Sequence, residues 1–144
     1  MIVIPFEPDH LRRLTLQPHQ ARTLSVNGPS FVPYLTQAGP AYTALIDSCV
    51  LACAGIILCD GVGTLWAYIA ADAGRHFVRL HRAAQRLIGL QPLRRLEAST
   101  EADFIPGCRW LELLGFQSEG ILRQYGPHGE DHLRYARIWP LSPR

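Results

Sequence analysis

Apolar and polar residues alternate at two different periods along this chain, and the change falls after Ala71. Before it, short runs of strand character dominate. Residues 2–6 alternate and predict a first strand. Asp9 is placed to cap a helix over 10–16, with Leu11 and Leu14 on its inner face and Pro18 ending it. Residues 19–40 hold Pro29, Pro33 and Pro40 with Gly28 and Gly39, which predicts irregular chain with one or two short helical turns, such as 31–37. Three strand-like runs follow, 41–46, 49–58 and 64–71. Asp47-Ser48 separates the first two and residues 59–63, with Asp60-Gly61, the last two, so the three form an antiparallel meander. The middle run is apolar at nearly every position and is expected to be buried on both faces. Gly55 within it predicts a bulge or a close backbone approach.

After Ala71 the period becomes 3.6. Phe77, Leu80, Ala84, Leu87 and Ile88 share one stripe of a helix over 75–88, with Arg75, Arg79, Arg82, Gln85 and Arg86 largely opposite and Gly89 as the stop. His81 borders the stripe and reads as a half-buried, satisfied side chain. A strand over 93–99 interleaves Arg94, Arg95 and Glu97, and Ser99 or Thr100 can cap the next turn. Trp110, Leu111, Leu113 and Leu114 then make a short amphipathic helix that Gly115 can end in the left-handed conformation. A strand over 116–125, a polar turn over 126–131 and a strand over 132–139 complete the pattern.

Length and composition fit one domain over residues 1–144: 48% of residues are hydrophobic and 18% charged. The net charge of +2 is too small to point to nucleic acid or an anionic membrane. All 14 basic residues are Arg, so the surface offers forked donors and no lysine amine. The longest apolar run, 49–59, is about half of the ~20 residues a membrane-spanning helix needs. Glu7 and Asp9 follow the first apolar residues with no basic segment before them, so a secretory signal is not expected and the expected compartment is cytoplasmic. Cys49, Cys53, Cys59 and Cys108 match no zinc spacing, and residues 49 and 53 on one strand lie ~13 Å apart, too far for a disulfide. Free thiols and no metal are the expectation.

The helix ending in Leu113-Leu114-Gly115-Phe116, followed by strand, turn and strand, resembles the C-terminal end of the GCN5-related N-acetyltransferase fold. The full order β-α-α-β-β-β-α-β-α-β-β is similar to that fold over most of the chain. The resemblance implies an α/β (α+β) fold of the acyl-coenzyme A N-acyltransferase type, a mixed, mostly antiparallel sheet of six to seven strands flanked by helices. It also implies acetyl-coenzyme A as donor and an amine as acceptor. The coenzyme would enter between the strands at 64–71 and 93–99, its pantetheine arm pairing with the first and its pyrophosphate lying on the N-terminus of the 75–88 helix. Free N–H groups and the helix dipole favour an anion there. By resemblance, then, the coenzyme-binding candidates are Ile69, Ala70, Ala71, Gly74, Arg75, His76 and Arg79.

This chain departs from the family in several places. The pyrophosphate loop Arg/Gln-x-x-Gly-x-Gly/Ala keeps only Gly74; Ala71 and His76 stand at the other two positions, and Asp72 beside them repels an anion or caps the helix. Leu111 stands where the family carries a Tyr that protonates the departing thiolate. Catalytic candidates are therefore Tyr68, as an acid on the 64–71 strand, and Glu97, as a base on the 93–99 strand; their structural alternatives are a core aromatic and an ion pair with Arg94 or Arg95. A narrower likeness, carried by Phe77, Arg79, Arg109-Trp110, Leu114-Gly115-Phe116, Tyr125-Gly126-Pro127, Gly129-Glu130, His132 and Arg134-Tyr135, is to acetyltransferase-like proteins of tailed bacteriophages. It implies a protein partner in particle assembly or in the infected cell. Two function classes follow: an enzyme transferring an acyl group to an amine, and a catalytically silent domain of the same fold acting through protein contacts.

Overall fold

A computed structural model describes residues 1–140; residues 141–144 lie outside the described residues. The elements are β1 (Ile2–Pro5), α1 (Pro8–Arg12), α2 (Pro18–Ser25), α3 (Phe31–Gln37), β2 (Ala41–Ile46), β3 (Cys49–Cys59), β4 (Val62–Ile69), a 3₁₀ turn (Ala73–His76), α4 (Phe77–Gly89), β5 (Arg95–Glu101), α5 (Ile105–Leu113), β6 (Gln117–Leu122) and β7 (His132–Ile138). Seven strands hydrogen-bond in the order β1-β2-β3-β4-β5-β7-β6. The β1–β2, β2–β3, β5–β7 and β6–β7 pairs are antiparallel, while β4–β5 is parallel. This is the mixed, mostly antiparallel sheet with flanking helices expected from the element order.

The described chain forms two compact units. The first comprises Met1–Ile57 with Leu65–Leu90. Its β3 is the strand read as buried on both faces, and Val50, Leu51, Ala52, Cys53 and Ile56 are all buried. Gly55 marks a close approach: a Cβ there would sit 2.7 Å from the Pro40 carbonyl oxygen and 2.8 Å from the Trp66 ring. The bulge lies elsewhere, where the β2–β3 register shifts between Ala44 and Leu45. Asp47 and Ser48 both take positive φ, 48° and 66°, in the β2–β3 turn, the two-residue geometry whose twist matches paired strands. Ser48→Gly is expected to raise stability by about 0.5–1 kcal/mol, measured by urea unfolding, because glycine adopts that φ without steric cost.

The first helix corrects the sequence reading. It starts at Pro8, not residue 10, and Glu7 is the N-cap in place of Asp9. Proline is pre-set for a first helical position. His10 Nδ1 accepts the Glu7 backbone N–H at 3.1 Å and lies 2.8 Å from Thr43 Oγ1. Pro18 likewise begins α2 rather than only ending what precedes it, so residues 18–25, expected to be largely irregular, are helical. The helix at Phe31–Gln37 stands where a short one was expected.

In α4, Leu80, Leu87 and Ile88 are buried as the stripe requires. Phe77 is 37% exposed and stacks on His81, ring centroids 5.8 Å apart, which takes it off the inner stripe. Asp72 caps nothing with its side chain. The 3₁₀ turn intervenes before α4, and Asp72 pairs with Arg75 at 3.9 Å instead.

The second unit comprises Leu58–Thr64 and the chain from Gln91 onward. Asp60 and Gly61, both at positive φ, close the hairpin into β4. The parallel register runs from Val62↔Arg95 to Thr64↔Glu97. Leu93, Leu96, Ala98, Cys108, Leu114, Phe116, Tyr135 and Ala136 are its buried hydrophobic residues among those described. Gly115 ends α5 at φ 88°, with the Phe116 N–H donating to the Leu111 carbonyl oxygen at 3.0 Å. That is the left-handed helix stop read from the sequence.

Candidate functional site

The backbone of β4 decides what its outer edge can bind. The Ala70 N–H donates to the Leu51 carbonyl oxygen of β3 at 2.9 Å, so even-numbered residues here face β3 and the backbone groups of 67, 69 and 71 point away from it. Those outward groups are occupied by the N-terminal segment of the same unit. The Ala71 N–H donates to the Thr15 carbonyl oxygen at 2.9 Å, and Leu16 makes an isolated antiparallel bridge with Ala70. Pro18 then turns the chain into α2, which brings Gln20 against the strand. Its Nε2 donates to the Ala67 carbonyl oxygen at 2.9 Å, and its Oε1 accepts the Ile69 N–H at 2.8 Å.

Among the coenzyme-binding candidates, the structure thus brings Ile69, Ala70 and Ala71 together with every backbone N–H already engaged. Gly74 lies exposed in the 3₁₀ turn, and a Cβ there would meet nothing within 4 Å. Its lack of a side chain therefore answers no crowding within the protein. Arg75 and Arg79 are exposed, and His76 is the residue preceding α4, half-buried, with no side-chain cap bond. Arg75 and Arg79 make the start of α4 cationic, with Asp72 against Arg75.

The catalytic candidates are less available. Tyr68 is 7% exposed, with its ring 6.0 Å from that of Trp66, and burial pushes its hydroxyl up to about 12. This is the core aromatic of the structural alternative. A phenol whose folded pKa lies above its unfolded value stabilises the fold below pH 10 and loses that contribution as pH rises towards 12. Burial pushes the Cys53 thiol the same way, to about 11. Stability is therefore expected to fall between pH 9 and 12, and Tyr68→Phe to lessen the fall above pH 10, as read by denaturant midpoints across that range.

Glu97 is claimed by two guanidinium groups. Its Oε1 accepts Arg95 Nε at 2.7 Å and its Oε2 accepts Arg134 Nη1 at 2.9 Å. The ion-pair alternative was correct for Arg95, and Arg134, not Arg94, completes it. Arg95 also forks onto Glu119, whose carboxyl it holds below the usual carboxylate range, and Arg134 stands 5.8 Å over the Tyr125 ring. A carboxylate with both oxygens so bound is poorly placed to take a proton from an amine. Leu111 is half-buried on α5 and has no titratable group. Tyr135, a buried phenol of that unit, is 2% exposed and pushed up to about 12, mainly by burial.

Sequence reasoning missed Gln20 and Arg134 as partners. Gln20 carries no local signal, because its role arises only when Pro18 starts a helix beside β4. Arg134 was visible only through strand register, since Ser99↔Arg134 pairing puts it near Glu97. Among the described residues no group of three or more His, Cys, Asp and Glu stands ready to hold a metal ion, and no helix is long and apolar enough to cross a membrane.

No protein-family model matches the sequence, and no curated protein sequence matches it. Solved structures do match the fold. The aminoglycoside 6′-N-acetyltransferase of Enterococcus faecium is 14% identical with a TM-score of 0.70, covering 100% of both chains. The spermidine N-acetyltransferase of Vibrio cholerae (a single-site mutant) is 13% identical with a TM-score of 0.69, covering 96% of this chain and 95% of its own. The ribosomal-protein-S18-alanine N-acetyltransferase of Escherichia coli is 14% identical with a TM-score of 0.68, covering 99% and 96%. The chain thus has the acyl-coenzyme A N-acyltransferase fold, and likeness at these identities carries the fold alone.

Proposed function

We propose that this chain is an acetyltransferase-like domain that takes acyl-coenzyme A weakly and transfers its acyl group to an amine slowly. One observation carries the reading: the outward edge of β4 offers an acceptor at Ala67 and a donor at Ile69 in the spacing that an amide group satisfies, as the Gln20 carboxamide does. An extended ligand bearing amides suits that edge, and the cationic start of α4, with Arg75 and Arg79 beside the open Gly74, suits its phosphates. Bound there, acyl-coenzyme A supplies an activated thioester. The chain's own residues do the rest: backbone groups of β4 orient the ligand, and α4 with its arginines holds the anion. Proton transfer is the weak point, because Tyr68 is buried, Glu97 has both oxygens on arginines and Leu111 has no proton to give. Solved neighbours named as spermidine, aminoglycoside and ribosomal-protein-alanine N-acetyltransferases support an amine as acceptor class.

Those same features favour a second reading, a silent domain acting through a protein partner, as the phage likeness implies. Calorimetric titration with acetyl-coenzyme A separates the two. The first reading expects saturable binding with a Kd between ~10 µM and ~1 mM, about −7 to −4 kcal/mol. No heat at millimolar coenzyme would favour the second.

A further inference from the structure

We propose that Gln20 is an internal latch on the β4 edge, competing with the amide-bearing ligand for Ala67 and Ile69. This rests on the reading of that edge as the acyl-coenzyme A site and adds its regulation. The side chain is chemically a small amide ligand: its Nε2 donates to the Ala67 carbonyl oxygen and its Oε1 accepts the Ile69 N–H, at 2.9 and 2.8 Å. The two groups it covers are among those left outward once Ala70 bonds to Leu51.

The latch is also mounted to move independently of the fold's core. Gln20 stands in the first turn of α2, a helix with no buried residue. The strand itself does not depend on it, since β4 is held in the sheet by its β3 neighbour and Ala70 is tied to Leu51. The chain just before α2 is anchored separately, through Thr15 on Ala71 and the Leu16–Ala70 bridge. Swinging Gln20 away therefore exposes one acceptor and one donor without unpairing a strand. Any ligand using that edge must displace two hydrogen bonds, which lowers its apparent affinity by the latched fraction.

The test compares the intact protein with Gln20→Leu, which fills similar space and cannot hydrogen-bond, and with Gln20→Asn, which keeps an amide that falls short of the edge. Amide hydrogen exchange at Ile69 is read first. Both variants should lose protection at Ile69 while keeping it at Ala70, which bonds to β3. Acetyl-coenzyme A is then titrated into all three proteins. The latch predicts about 10-fold tighter binding by both variants, the order expected for two competing hydrogen bonds. Equal affinity in all three, with binding intact, would overturn the latch and leave the coenzyme site standing. Binding by none of them would overturn the site and the latch together, whereas unchanged Ile69 protection in the variants would overturn the latch alone.

Discussion

Truncating Ile88 to alanine is expected to destabilise the protein by about 3 kcal/mol, within the 2–5 kcal/mol seen for losing a buried aliphatic side chain to a cavity. Ile88 is 0% exposed, at the end of the apolar stripe of α4. The helix has few other anchors: Leu80 and Leu87 are its remaining buried residues, whereas Phe77 and Val78 are exposed. Packing of this stripe, rather than helix propensity, therefore holds α4 in place. In a chain of this size the loss corresponds to a fall in Tm of roughly 6–12 °C. Val78→Ala, at a position 60% exposed on the same helix, is the control and is expected to change stability by no more than about 0.5 kcal/mol. Equal midpoints for the two variants in urea unfolding would mean that the stripe does not anchor the helix.

The second large effect is one of rate. A positioned general acid is worth ~100- to 10,000-fold, and Leu111, at the position the resemblance assigns to one, has no proton to give. Against a typical enzyme turnover of about 10 s⁻¹, the expected rate with amines falls below ~0.1 s⁻¹. Leu111→Tyr is expected to recover little of it. The new phenol addresses the leaving thiolate, but Glu97 still has both oxygens on Arg95 and Arg134, so deprotonation of the amine stays unassisted. Nor does it free the β4 edge, where Gln20 holds Ala67 and Ile69. A gain above ~100-fold from Leu111→Tyr alone would show that the missing acid was the sole obstacle.

Much of this architecture was legible because local chemistry and tertiary structure agree. Asp60-Gly61 specifies a tight hairpin, the run through β3 is buried as its unbroken apolar sequence demands, and Gly115 ends α5 at the positive φ that glycine supplies. The helix starts were read less well. Asp9 and Asp72 are good capping residues by type, yet Pro8 pre-sets α1 two positions earlier, and a 3₁₀ turn separates Asp72 from α4. Residues 18–25 look like loop because proline was read as a stop, while at a first helical position it is a start.

The site divides in the same way. The resemblance pointed to the end of β4 and the start of α4; in the structure the outward edge of β4 is bonded by the Gln20 carboxamide. Tyr68 and Glu97 were named for their titratable groups, but whether such a group is available depends on long-range partners. Tyr68 is enclosed in the first unit, and Glu97 is paired in the second by Arg95 on its own strand and Arg134 on the neighbouring β7. Gln20 lies 47 residues from Ala67 in sequence, and nothing in the composition of either segment announces the contact.

The central claim is that this domain keeps the acyltransferase fold and an edge suited to the coenzyme while lacking efficient proton transfer. Its most direct test is continuous detection of free thiol from saturating acetyl-coenzyme A with a panel of polyamine, aminoglycoside and peptide N-terminal acceptors. The account predicts coenzyme-dependent release no faster than ~0.1 s⁻¹ with every acceptor. Steady release near ~10 s⁻¹ with any one of them would contradict it.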